Sequence, residues 1–305
     1  MYQKPYLERS YENMLKQVDN MQEGYVPVTG GRVWYKIVNP GVGIPLLILH
    51  GGPGSSHHYL EPLESLANER TVIFYDQLGC GKSERPNDTS LWQKNRFVEE
   101  LRQIQKALKL ETVHIFGHSW GAMLAVDYAL TKPSGLKSLI LASPPLSISR
   151  WMNDMERYKN CLPTEVQMIL GEHERNNTTA SDEYQEASMK FYQRYLCRLD
   201  PWPEPLERTL ANEGTTVYET MWGPSEFYMT GNLLDYDRTS QLKDIDIPTL
   251  FTCGRYDEAT PEATAWYQSL LPKSEVAIFE QSAHMAHLEE TEYYIQTIRS
   301  FLRRE

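Results

Sequence analysis

The stretch "TVHIFGHSWGAMLAVDYAL", residues 112–130, decides the architecture. Its first six residues form a short apolar run, as expected of a strand buried on both faces of a parallel sheet. A helix is expected after Ser119. Between the two lies Gly117-His118-Ser119-Trp120-Gly121, a G-x-S-x-G in the strand–turn–helix setting that turns this pattern into a nucleophile site. The glycines are needed because the turn is sharp and neighbouring side chains would clash. A Gly/Ser turn without chemistry uses the same five residues, but the flanking elements favour Ser119 as nucleophile. An aspartate nucleophile at this place is excluded.

Outward from this unit, "PLLILH" (45–50), "TVIFYD" (71–76) and "LKSLILAS" (136–143) are further buried-strand runs, and "VPVTGGRVWYKIV" (26–38) reads as a hairpin. Phe97, Leu101, Ile104 and Leu108 recur at helical spacing between two of these runs. Strands alternating with helices imply right-handed βαβ units, hence an α/β fold with a mostly parallel central sheet. From about Pro144 to Thr239 the pattern changes to helical periodicity, with candidate helices in "WMNDMERYKNCL" and "DEYQEASMKFYQRYLCRL". Strands return at "IPTLFTCG" (247–254) and "SEVAIFEQ" (274–281), and "TEYYIQTIRSFLRR" is a closing helix. The expected organisation is a core of residues 1–143 and 241–305 interrupted by a helical cap, or lid, at 144–240. Ligands of open α/β sheets bind at the C-terminal ends of the strands, which is where such a lid would sit.

A serine hydroxyl needs an imidazole base held by a carboxylate. Of the eight histidines, His114 and His118 are too close in sequence to fold over Ser119. His50, His57 and His58 surround a glycine-rich turn, with His50 read as structural, and His173 has no supporting context. In this kind of fold the order along the chain is Ser, acid, His, which leaves His284 and His287 in "EQSAHMAHLEE". His284 comes first after the last strand and is preferred; His287 is expected in the following helix. The acid belongs at the end of the preceding strand, in "GRYDEAT" (254–260), where Asp257 and Glu258 stand side by side. Asp257 has the better phase, and Thr260 before Pro261 meets the helix-cap requirement that would otherwise claim it. Acyl transfer also needs amide donors for the oxyanion. The Trp120 amide is one candidate, and the Gly52 amide, in "LLILHGGPGSS", is the other.

Composition bounds the rest. The net charge of −11 over 305 residues argues against nucleic acid as a partner, since no basic stripe meets phosphates. No run is long enough to span a bilayer, and "MYQKPYLERSYENMLKQ" lacks a signal peptide's apolar core. Cys80, Cys161, Cys197 and Cys253 are widely spaced, so reduced, buried thiols in a cytoplasmic protein are expected rather than disulfides or a zinc site. The chemistry calls for no metal or cofactor.

"HGGPG" (50–54), "DQLGCGKS" (76–83), "GHSWG" (117–121), "GRYDEATPE" (254–262) and "SAH" (282–284) together resemble the proline iminopeptidase family, whose members are α/β-hydrolase-fold serine peptidases. "WGPSEFYMTG" (222–231) is similar to its shorter, tricorn-associated branch. The resemblance implies an aminopeptidase that removes an N-terminal residue, often proline, from short peptides with a free N-terminus. It matches Ser119, Asp257 and His284 as triad and Gly52 and Trp120 as oxyanion donors. It further implies two glutamates for the substrate's α-ammonium group, at Glu226 and Glu258. Carboxylate partners would offset the desolvation of that cation in a lidded pocket. Trp151, Tyr158, Trp222, Phe227 and Tyr228 are candidate pocket walls, although lid aromatics at helical spacing more often pack. An amide or ester hydrolase of broader specificity, a general esterase and a silent binding protein stay open as alternatives.

Overall fold

A computed structural model describes residues 20–305; the N-terminal stretch read above for a signal peptide lies outside them. Eight strands form one sheet in the order β1-β2-β4-β3-β5-β6-β7-β8. They are β1 (Met21–Val28), β2 (Gly31–Val38), β3 (Leu46–Leu49), β4 (Val72–Tyr75), β5 (Val113–His118), β6 (Leu136–Ala142), β7 (Thr249–Gly254) and β8 (Ser274–Phe279). β1, β2 and β4 pair antiparallel, and the remaining pairs are parallel. The hairpin is longer than its alternating core suggests: β1 reaches back to Met21, and Thr29-Gly30 makes the two-residue turn with Gly30 at φ +99°.

The short central strands show why their sequence is continuously apolar. Leu47 pairs with Ile73 on one side and Ile115 on the other, and these three join one buried layer. Leu46, Ile48, Val72 and Phe116 point the other way, into the second layer. β8 forms where a strand is expected, at one edge of the sheet, and Val276 is 37% exposed there, so its residues are not buried on both faces.

The helices are α1 (Lys94–Ala107), α2 (Trp120–Leu130), α3 (Ile148–Lys159), α4 (Thr164–Asn176), α5 (Asp182–Tyr195), α6 (Glu204–Ala211), α7 (Thr215–Met221), α8 (Pro261–Leu270), α9 (Ala286–Glu289) and α10 (Thr291–Leu302). Five of them, α3 to α7, intervene between β6 and β7. Their boundaries follow from capping. Ser181 accepts from the Tyr184 amide ahead of α5, with Asp182 and Glu183 in the first turn facing the positive dipole end. Thr260 caps α8 with Pro261 at its first position, as expected. Residues His57–Asn68 after β3 form a 3-10 segment containing Pro62, whose missing N–H disfavours an α-helix there. The four cysteines are free; Cys161 is exposed, which corrects the expectation of uniformly buried thiols. No helix among the described residues is long and apolar enough to cross a membrane.

Candidate active site

Ser119 stands between β5 and α2 with φ 55° and ψ −120°, a conformation sparsely populated by residues other than glycine. The surroundings hold it there. Its amide donates to Ala142 O at 2.9 Å, and its carbonyl accepts from Ala122 and Met123 at the start of α2. A Cβ on Gly117 would lie 2.3 Å from Gly121 O, and one on Gly121 2.2 Å from Leu49 O. Both glycines of the motif are therefore required by close backbone approach.

Asp257, fully buried beyond the end of β7, is saturated with donors. Its Oδ1 lies 2.7 Å from His284 Nδ1 and 2.7 Å from the Ala259 amide. Its Oδ2 accepts from Ser143 Oγ at 2.6 Å and from the Gly254 amide at 3.3 Å. Because a carboxylate only accepts, Nδ1 of His284 carries the proton and Nε2 is left with its lone pair. Ser143 is a participant that sequence reading missed. It follows β6 as an unremarkable serine in "LAS", with no pattern to single it out. The His284 loop is pinned beside the Ser119 turn, since His118 Nε2 donates to His284 O at 2.9 Å. The end of α5 pins it from the other side: Tyr195 O accepts from the amides of both Glu258 (3.3 Å) and His284 (3.2 Å). The Ser119 hydroxyl makes no hydrogen bond among the described residues, a looseness common before substrate is bound.

The glycine loop after β3 lies against Ser119, since a Cβ on Gly51 would come within 3.1 Å of Ser119 Cβ. Gly52 has φ +103°, and a Cβ there would meet Gly54 N at 2.5 Å, so only glycine fits. The Gly51 amide donates to Tyr59 Oη at 2.8 Å and is not free. The amides of Gly52 and Trp120 have no acceptor among the described residues.

Glu258 points elsewhere than its neighbour. It is 1% exposed, and neither carboxylate oxygen has a partner. Its Oε1 lies 3.8 Å from His284 Nε2. Glu226 keeps some exposure as a residue, but its Oε2 is enclosed and unpartnered, while Oε1 accepts from Tyr218 Oη at 2.8 Å. Burial pushes the Glu258 carboxyl well above the usual range, helped by the negative charges of Glu226 and Asp257. Burial likewise raises Glu226 to about 7, opposed by His284 and the Tyr218 hydroxyl. Three buried carboxylate oxygens without donors, two on Glu258 and one on Glu226, make a site that a cation would complete. Glu226 also lines a cavity of about 360 Å³ with Glu213, Tyr192, Tyr218 and Trp202.

The other histidines are accounted for. His50 Nε2 accepts from the Gln77 amide at 2.9 Å, and burial lowers its pKa to about 4, as befits a structural residue. His287 lies in α9 as expected, and burial lowers it to about 3. His173 is tied to Thr178, Ser181 and Glu183. His57, His58 and Glu61 have metal-ligand chemistry within 4.8 Å of one another, but the Arg208 guanidinium is paired with Glu61. Of the lid aromatics, Trp151, Trp222 and Phe227 are buried, Trp151 and Trp222 meeting edge to face at 5.5 Å. Tyr158 stacks on Tyr195 at 4.1 Å. These are packing contacts, and Trp151 also comes within 6.5 Å of the His284 ring.

Residues 44–291 match the family model described as alpha/beta hydrolase fold. A proline iminopeptidase of Heyndrickxia coagulans is 52% identical over 92% of this chain and 98% of that protein. The crystal structure of VinJ superposes with a TM-score of 0.89 at 37% identity, covering 93% of this chain and 98% of that one. The proline iminopeptidase of Mycobacterium smegmatis superposes with a TM-score of 0.86 at 34% identity, over 93% of this chain and 98% of its own. With that extent of similarity, and with an eight-stranded mostly parallel sheet beneath it, the chain belongs to the proline iminopeptidase family of the α/β-hydrolase fold.

Proposed function

We propose that this protein is a serine aminopeptidase that releases an N-terminal residue, preferentially proline, from short peptides. Ser119 attacks the first carbonyl while His284 Nε2 takes the hydroxyl proton, and Asp257 stabilises the imidazolium. The Gly52 and Trp120 amides hold the oxyanion, worth roughly 2.7–4 kcal/mol per donor. The tetrahedral species collapses as His284 passes its proton to the leaving amine, giving an acyl-enzyme. Water then attacks the ester with His284 again as base, releasing the amino acid and the Ser119 hydroxyl. No cofactor takes part. The segment 144–240 acts as the cap over the core of 1–143 and 241–305, and it brings Glu226 to the site.

The observation that carries this reading is the set of three buried carboxylate oxygens without donors, both of Glu258 and Oε2 of Glu226, near the hydrogen-bonded His284 and Asp257. An N-terminal proline presents a secondary ammonium with two N–H groups, one for each carboxylate. An acylated amine has neither charge nor donors to match them. The names borne by the relatives point the same way. Turnover of proline β-naphthylamide, abolished by Ser119→Ala and retained by His287→Ala, is the expected result. Undiminished turnover by Ser119→Ala would refute the mechanism.

A further inference from the structure

His118, the second residue of the G-x-S-x-G, was set aside because it cannot fold over Ser119. Its position gives it another task. His118 Nε2 lies 2.9 Å from His284 O, and its Nδ1 lies 3.0 Å from Tyr59 Oη. A carbonyl can only accept, so Nε2 carries the proton and Nδ1 is the acceptor. Tyr59 therefore donates to His118, and its oxygen accepts in turn from the Gly51 amide at 2.8 Å. The directions are forced at every link. The chain runs Gly51 N–H, Tyr59 O–H, His118 N–H, His284 C=O.

All of it is buried: Tyr59 is 2% exposed and His118 1%. Burial also holds the His118 imidazole neutral, well below its ordinary pKa, so this tautomer does not titrate near neutrality. The chain's ends belong to the two loops whose relative position the chemistry depends on. Gly51 precedes the oxyanion glycine, Gly52, and His284 is the base. His118 itself directly precedes the nucleophile. No other hydrogen bond among the described residues joins the Gly51–Gly54 loop to the His284 loop.

We propose that Tyr59 and His118 are positioning residues that set the oxyanion loop and the base in register with Ser119. This inference rests on the serine-nucleophile part of the function proposed above. The Tyr59 hydroxyl also keeps the Gly51 amide occupied and leaves that of Gly52 free.

The test is the rate at which a fluorophosphonate labels Ser119, measured with kcat and KM on proline β-naphthylamide and with the melting temperature. Labelling needs nucleophile, base and oxyanion donors but no amine recognition. Tyr59→Phe is expected to lower both the labelling rate and kcat by about tenfold, in line with one buried hydrogen bond, with KM within about twofold. His118→Leu is expected to do the same. The double variant should lose no more than the worse single, because one chain is broken in either case. His118→Gln, which can still donate to the His284 carbonyl, should recover part of the rate; it carries the test alone if Tyr59→Phe does not fold. A folded Tyr59→Phe labelled at the wild-type rate, or losses that multiply in the double variant, overturns the inference while leaving the aminopeptidase reading intact. An unlabelled wild type overturns the nucleophile assignment and this inference together.

Discussion

Two carboxylates one residue apart face opposite conditions. Asp257 accepts four hydrogen bonds, including those from His284 and Ser143. Glu258 accepts none at either oxygen. The same contrast divides the site as a whole. The Asp257–His284 pair is satisfied within the protein, whereas both oxygens of Glu258 and Oε2 of Glu226 are not. A satisfied carboxylate is a fixed part of the machine. An unsatisfied buried pair is held in a costly state by the fold and gains most when a cation arrives. The order in which variants lose function should follow from this difference.

Ser119→Ala should be the most damaging, lowering kcat by roughly 10⁴-fold or more with KM nearly unchanged. Asp257→Asn should lower kcat by roughly 10⁴-fold, because the amide can place an N–H against His284 Nδ1 and favour the wrong tautomer. Steady-state kinetics on proline β-naphthylamide measure both. Glu258→Gln should act on recognition instead, lowering kcat/KM for free-amine substrates by roughly 10–100-fold, the worth of a buried charged hydrogen bond. If it lowered kcat as Asp257→Asn does and left selectivity alone, the division between the two acids would collapse.

A smaller effect concerns stability. Glu226 has its pKa raised to about 7 in the folded protein, against an ordinary carboxyl in the unfolded chain. Between about 4.5 and 7 the folded state holds the extra proton, so stability falls as pH rises through this window, and the deficit is complete above it. Glu226→Gln, which cannot ionise, should therefore raise the melting temperature by about 2–5 °C at pH 8. It should make little difference at pH 4.5, where the wild-type carboxyl is protonated. Thermal denaturation at both values decides it, and an equal effect at both would mean that ionisation is not the cause.

The parts legible in the sequence were those with a local signature. The Ser119 turn was legible through two glycines that backbone contacts forbid from carrying a Cβ. The strands of the central sheet were readable because burial on both faces leaves no polar position, and edge strand β8 was readable from its short β-branched and aromatic run. Asp257 and His284 could be placed because chain order and strand ends limit the choices. Ser143 and Tyr59 could not. Each acts through a contact with a residue distant in sequence, 114 positions away for Ser143 and Asp257 and 59 for Tyr59 and His118. The short helices α6 and α7 were not singled out, since Glu204–Ala211 and Thr215–Met221 span only about two turns each. Glu226 was found through family resemblance alone. A glutamate between a serine and a phenylalanine carries no sign that the fold will leave one of its oxygens buried without a donor.

The most direct test of the account is to compare proline β-naphthylamide with its N-acetyl derivative on the wild-type protein and on Glu258→Gln. The account predicts efficient turnover of the free amine by the wild type, almost none of the acetylated substrate, and a much smaller gap between the two in the variant. Turnover of both substrates at similar rates by the wild type would contradict it, because Glu258 and Glu226 would then have no part in choosing the substrate.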